Sequence, residues 1–373
     1  CELELGDKQG SVVCGASNVK KNLKAVFAPI GSIIPSSGLV LKKKDIRGFT
    51  GEGMLCSLEE LGFEEKSNGI IELSDDAPVG ENYADWKGLS DPIFEIGLTP
   101  NRGDCASVIG IARELSAIGL GKLKDNNKEK TKGTYKSPIK WSINLDSENI
   151  RACSYVKGRH FKGLKNVESP EWLKKRLISI GLKPISSLVD LTNFITFDLG
   201  RPLHVFDANK LNGNLSIRMA HPEESLLALD GKKYDLDKEI LIIADDSNPV
   251  SIAGVMGGAK SACDENTTEM FLESAYFDPK NIAVSGRSLN ILSDARYRFE
   301  RGVDPNYVDK GLEIMTNLVL EICGGEVSEE EEAGKIQLTK TIVKFDPSRV
   351  KQLGGILIEH KEQKDILLKE GTE

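Results

Sequence analysis

No stretch of this sequence is apolar for long enough to cross a membrane. Ile70–Ile71 and Leu241–Ile242–Ile243 are the length of strand cores, whereas a helical span needs about 20 residues. The opening CELELGDKQG has neither a basic start nor an apolar core, so nothing reads as an export signal. It also begins in mid-pattern without Met, as though a segment preceded it. Paired cysteines are lacking too. Cys1, Cys14, Cys56, Cys105, Cys153, Cys263 and Cys323 are scattered, odd in number and without a CxxC. That argues against a disulfide framework or a zinc site and fits reduced thiols in a cytoplasmic protein. Positive charge is not in excess: the net charge is −8. Any nucleic-acid contact must therefore come from local basic clusters on an acidic body.

The 373 residues are too many for one core and predict two or three domains. To about residue 81, short apolar segments (Ser11–Cys14, Ala25–Ala28, Ile33–Ile34, Leu39–Leu41) alternate with Gly and Pro turns, the punctuation of a β-barrel or sandwich. Residues 82–121 form a connector with one helix. Asp104 is its expected N-cap, Val108, Ala112, Leu115 and Ile118 its shared face, and Gly119 its stop. The polar, lysine-rich stretch 122–137 reads as a linker.

Residues 138–334 mix strands and helices. Ser169–Pro170 reads as a cap and first turn, with Leu173, Leu177 and Ile180 as a stripe and Gly181 as a stop. Further helices are expected at 187–199 and 306–323. Strands are expected at Ser216–Met219, Glu239–Ala244, Pro249–Val255 and Glu269–Tyr276, with a hairpin turn at Asp230–Gly231. The acidic run Glu329–Glu332 is expected to separate this domain from 335–373, where IVKFDPSRVKQLGG predicts a strand and a helix start of a further, truncated domain.

Three stretches together carry a family resemblance. The first is VVCGASNVKKNLKAVFAPIGSIIP with KKKDIRGFTGEGMLCSLEELGF; the second is LTPNRGDCASVIGIARELSA. The third runs from SPEWLKKRL through DLTNFITFDLGRPLHVFD, IAGVMGG and FLESAYFDP to SDARYRFERGVDP. They occur in the order found in the β subunits of bacterial phenylalanine–tRNA ligases, which the chain resembles over most of its length. The resemblance implies an α+β multidomain chain: an oligonucleotide-binding-type β-barrel, a short helical connector that contacts an α subunit, a mixed α/β editing domain, and the start of another α/β domain. It implies tRNA(Phe) and the α subunit of an α2β2 assembly as partners, with no DNA and no membrane. ATP and Mg2+ belong to the whole enzyme, and no cofactor or metal to this stretch.

Such a site has a physical logic of its own. A pocket built for phenylalanine rejects an added hydroxyl weakly, so a second site must hydrolyse the tyrosyl product. That second site needs a buried polar group to read the phenol, and a carboxylate accepts a strong bond from one. Alternation places Phe271, Glu273 and Ala275 on one face of a strand; read alone, Glu273 is equally a solvent-facing strand residue. By resemblance it reads the phenol.

His204 follows Gly200 and Pro202 in GRPLHVFD. The resemblance makes it an editing-site residue that either acts as a base or positions substrate; taken alone, it is a histidine satisfied by backbone. Asn193 lines the same pocket by resemblance and lies three residues from Asp190, so the two share a helix face or form a buried polar pair. In GVMGG, Gly254, Gly257 and Gly258 suit a close backbone approach or a plain turn. The resemblance leaves position 257 open and sets Ser293 and Ala295 at the pocket border. Lys183 stands where the family commonly has arginine, keeping charge without the planar fork, and Ser293 replaces a threonine.

Lys20, Lys21 and Lys24 form one basic cluster, and Lys42, Lys43, Lys44 and Arg47 another. Both suit phosphate tracking on a barrel or a generic solvated surface. With Phe27 and Phe49 as its few aromatics, that region favours backbone contact over base readout. Arg287, Arg296, Arg298 and Arg301, interleaved with acids, predict structural ion pairs. The rival to an editing enzyme is a non-catalytic tRNA-binding and assembly module whose pocket has decayed. No carboxylate pair, Ser–His–Asp arrangement or His cluster points to another hydrolase.

Overall fold

A computed structural model describes residues 1–46, 48–64, 66–124, 130–336 and 342–372. They fall into two compact units, Cys1–Ile93 and Phe94–Glu373. Among the described residues no helix is long and apolar enough to cross a membrane.

In the first unit the strands are β1 (Glu2–Glu4), β2 (Gln9–Ser11), β3 (Phe27–Pro29), β4 (Lys44–Ile46), β5 (Phe49–Gly51) and β6 (Gly53–Leu55), followed by the one-turn helix α1 (Tyr83–Trp86). They pair as three separate antiparallel ladders, β1–β2, β3–β6 and β4–β5, where a barrel was expected. Each strand stops after three residues, with Gly or Pro at or just beyond the ends of β1, β3, β4 and β5. Two small cores hold the unit together, one around Val26, Ile34, Leu41 and Cys56 and another around Val12, Leu55 and Ile70.

The second unit begins with a 3-10 turn at Gly103–Cys105 and α2 (Val108–Ala117). The N-cap is Ser107, whose hydroxyl accepts from the Gly110 amide, and not Asp104; Asp104 is held instead by Arg102 and Arg113. Most of the shared apolar face of α2 points outward. Gly110 and Ala117 are buried, while Val108, Leu115 and Ile118 are exposed, because the helix packs through its small residues.

There follow β7 (Trp141–Asn144), β8 (Cys153–Lys162), α3 (Glu171–Ser179), α4 (Ser187–Leu199), β9 (His204–Asp207), β10 (Leu215–Met219), β11 (Ser225–Leu227), β12 (Lys233–Asp235), β13 (Leu241–Ala244), β14 (Pro249–Ile252), β15 (Met256–Gly257) and β16 (Glu269–Phe277). Then come α5 (Pro279–Ser288), α6 (Asp294–Phe299), α7 (Tyr307–Ile322), β17 (Glu326–Val327), β18 (Glu331–Gly334), α8 (Ser348–Gly354) and α9 (His360–Lys369). One sheet has the order β15-β14-β13-β10-β7, with β7 and β10 parallel. The other has the order β17-β8-β16-β9, with β18 also on β8. β11 and β12 form a hairpin around Gly231.

β16 explains the layering. Phe271, Ala275 and Phe277 on one face join a core shared with the first sheet, where they meet Ile217, Leu241, Ile243 and Ile252. Met270 and Leu272 on the other face join Leu173, Leu188, Leu191, Ile195, Leu312 and Met315 from α3, α4 and α7. The unit is thus two sheets backed by a helical layer, and its central strand is buried on both sides.

Three further expectations change. The Ser169 hydroxyl donates to Asp190 on α4 (2.6 Å) and does not cap α3, and Ile180 is exposed. The acidic run itself joins the sheet. Glu331 begins β18, while Glu330 and Glu332 lie 3.0 and 3.5 Å from the buried Lys157 ammonium on β8; that buried cation draws the acids into the sheet. Residues 342–347 form no strand, and α9 ends against α2 through Arg113–Glu370. Residues 125–129 of the expected linker, and 337–341, lie outside the described residues.

Candidate functional site

Glu273 sits in the middle of β16, with His204 of β9 directly opposite on one side and Gly158 of β8 on the other. Opposed residues of an antiparallel pair project from the same face. Glu273 and His204 therefore both face the first sheet, within the layer formed by Phe206, Phe271 and Ala275. Glu273 is only 5% exposed, and among the described residues its carboxyl makes no hydrogen bond. Burial pushes its pKa up to about 8, opposed by the nearby Arg201 cation. A protonated carboxyl is the resting form near neutral pH, where the sequence suggested a carboxylate.

The edge of His204 bearing Nε2 is enclosed, and that atom has no hydrogen-bond partner among the described residues. Burial lowers the imidazole pKa to about 4, so the ring is neutral at physiological pH. Phe206 packs edge-on against it, with ring centroids 4.5 Å apart. Gly257, on β15 of the other sheet, closes over it: a Cβ there would lie 2.3 Å from His204 Cε1 and 2.7 Å from Nε2. The absent side chain is what lets the imidazole stand where it does.

Ser293 and Ala295 support this turn. Ser293 caps α6 by accepting from the Arg296 amide, and its hydroxyl donates to the Val255 carbonyl (2.7 Å), two residues before Gly257. Ala295 packs on the edge of the shared core. The Ser293 hydroxyl is therefore committed to backbone.

Arg201, in the same segment as His204, is the residue that sequence patterns passed over. Fully buried, it donates to the carbonyls of Ala275 and Asp304 (2.6 Å each), and its stem fills the space beside Gly311. Burial lowers its pKa to about 10, which leaves it cationic beside Glu273. Its only sequence signal is position, three residues ahead of His204 between Gly200 and Pro202.

The other predicted residues are less closely joined. Asp190 holds α4 in place by accepting from the Ser169 hydroxyl and the Ile185 amide. Asn193 is half-buried on α4 without a side-chain hydrogen bond among the described residues, and Lys183 is exposed in the loop between α3 and α4. Neither touches Glu273 or His204 through a described hydrogen bond.

In the first unit Lys20 pairs with Glu72, Lys43 with Glu52, and Lys24 donates to the Asp75 and Ala77 carbonyls. Lys21, Lys42 and Lys44 are exposed, and Arg47 lies outside the described residues. The arginines near α6 make the expected local pairs, Arg296–Glu300, Arg298–Asp294 and Arg301–Glu300. Asp104, Cys105 and Glu114 bring three donor atoms together, but the Arg102 guanidinium already occupies their midst, 2.9 Å from both Asp104 and Cys105 Sγ.

Residues 1–82 match the sequence family described as "Putative tRNA binding domain", and residues 152–324 match the "B3/4 domain". A phenylalanine–tRNA ligase β subunit from Bradyrhizobium diazoefficiens is 48% identical over 369 residues, 98% of this chain and 46% of the relative. One from Cereibacter sphaeroides is 49% identical over 356 residues, 95% of this chain and 44% of the relative. The chain thus spans about half the length of the curated relatives it matches. A solved N-terminal fragment of the phenylalanyl-tRNA synthetase β subunit from Pyrococcus horikoshii aligns over 78% of this chain and 85% of its own. That alignment has 15% identity and a TM-score of 0.35.

Proposed function

The chain belongs to the family of phenylalanine–tRNA ligase β subunits, and from that premise we propose that it hydrolyses tyrosine wrongly esterified to tRNA(Phe). The observation that carries this reading is Glu273: a buried carboxyl with no hydrogen bond to a described residue, flanked by an imidazole and facing a seam between two sheets. A phenol hydroxyl entering that seam supplies the missing partner. Phenylalanine leaves it missing, at a cost of about 1–3 kcal/mol.

In the reaction, water attacks the ester carbonyl carbon, and the terminal ribose oxygen of the tRNA leaves with a proton. A neutral imidazole with a pKa near 4 is a weak proton acceptor at pH 7, so His204 fits hydrogen bonding to substrate or water better than general-base work. Gly257 keeps room for that ring, while Ser293 and Ala295 fix the border. Asn193 and Lys183 are proposed contacts for the amino-acid and tRNA ends of the substrate.

The exposed Lys21, Lys42 and Lys44, with Lys20, Lys24, Lys43 and Arg47, are proposed phosphate contacts of the tRNA-binding region. The domain division at 81, 121, 137 and 334 is carried forward on the same footing. In the whole enzyme the subunit would support ATP- and Mg2+-dependent charging by its α partner in an α2β2 assembly in the cytoplasm.

The test is clearance of tyrosyl-tRNA(Phe) and phenylalanyl-tRNA(Phe) by this chain. Wild type should clear the tyrosyl ester preferentially, and Glu273→Ala should lose about 10- to 100-fold of that preference. Binding of both esters with hydrolysis of neither would instead leave a tRNA-handling module with a decayed pocket.

A further inference from the structure

The row His204–Glu273–Gly158 has an occupant at its far end. Over Gly158 of β8, the place a Cβ would take is filled by the indole of Trp141 from β7, whose Nε1 lies 2.6 Å from that position. Gly158 and Glu273 are directly opposed, and side chains so placed start about 4.5–5.5 Å apart. The indole Nε1 therefore stands on the sheet face that carries Glu273, at the position opposite it, where Phe271 Cε1 and the Leu272 carbonyl oxygen crowd the same place at 2.7 Å.

Trp141 is 7% exposed, and its Nε1 has no hydrogen-bond partner among the described residues. The ring of Phe271, centroids 5.7 Å away and tilted by 57°, offers at most a weak aromatic acceptor. An indole N–H can only donate, and a buried one left unpaired is costly. Glu273 and Trp141 thus present, from opposed positions on one sheet face, a carboxyl and an indole N–H that make no hydrogen bond among the described residues.

We propose that Trp141 is a second specificity-determining residue of this pocket, its indole N–H donating to the same substrate hydroxyl that hydrogen-bonds the Glu273 carboxyl. The inference rests on the hydrolytic reading above and deepens it. A phenol oxygen both donates and accepts, so it satisfies the pair at once; a phenyl ring satisfies neither. A side chain at 158 would meet the indole, the Phe271 ring and the Leu272 carbonyl alike, all within 2.7 Å of its Cβ.

Trp141→Phe keeps the aromatic packing and removes the N–H. It should lower kcat/KM for tyrosyl-tRNA(Phe) about three- to tenfold, the worth of one neutral hydrogen bond, and leave phenylalanyl-tRNA(Phe) hydrolysis unchanged. An equal fall for both esters, or an unchanged ratio, overturns the proposal in favour of packing alone.

A second measurement uses the wild-type chain. The indole 1H–15N signal of Trp141, assigned by elimination with Trp86→Phe and Trp172→Phe, should move downfield with saturating L-tyrosinamide and stay with L-phenylalaninamide. A stationary signal overturns the proposal even if clearance dependent on Glu273 persists. Absence of tyrosyl clearance by wild type overturns the parent reading and this one with it.

Discussion

Glu273 and His204 oppose each other across β16 and β9, and burial moves their proton affinities in opposite directions, to about 8 and about 4. A raised acid contributes stability below its ordinary value of 4.5 and loses it as pH climbs through about 8. A depressed histidine contributes above its ordinary 6.5 and loses it as pH falls through about 4. Glu273→Gln removes the first effect. Denaturant midpoints should therefore show the variant close to wild type at pH 5 and more stable than wild type at pH 8.5. A gap of the same size at both pH values would mean that Glu273 does not titrate between them. Alternation in FLESAYF told which face Glu273 takes, but not its protonation state, because the enclosing residues come from strands distant in sequence, such as β7 and β15. Arg201 was illegible for the same reason: its partners are the carbonyls of Ala275 and Asp304.

At the scale of elements, the Gly254–Gly258 turn acts as a template for the imidazole. Gly254 takes a left-handed φ of +65°, Ser293 ties Val255 to α6, and Gly257 then meets His204 without a side chain. Gly257→Ala puts a Cβ within 2.3 Å of the ring, so the imidazole must rotate. Tyrosyl-ester hydrolysis should fall at least tenfold while the variant still melts cooperatively, read by parallel activity and circular-dichroism melts. Long periodic elements such as α4 and α7 were legible because a single face carries their core residues. The three-residue strands of the first unit were not, since so short a segment holds no period. Nor was β18 legible: its glutamates resemble solvated polymer until Lys157 appears beneath them.

For the whole molecule, the α2 surface stands out. Ile118 is 60% exposed and Leu120 74%, with Val108 and Leu115 also outward. The stripe was legible as a stripe; what it faces was not, because nothing in a helical period says whether the partner lies in the same chain. Under the proposed function this stripe would be the surface that meets the α subunit. Ile118→Glu should leave the melting of this chain within about 0.5 kcal/mol of wild type. In the assembled enzyme the same change should weaken retention of the α subunit during size-exclusion chromatography, and unaltered assembly would count against the assignment.

β16 is flanked by β8 and β9, with both faces in cores. Its amides can meet solvent deuterium only when that unit opens globally, whereas the Gly254–Gly258 turn can open locally. Mass-spectrometric exchange with a bound tyrosyl analogue should therefore report occupancy at residues 254–258 and remain silent at Glu273 itself. The residue proposed to read the ligand sits on the strand least able to signal it, and resistance to deuterium at that strand measures the stability of the unit against opening.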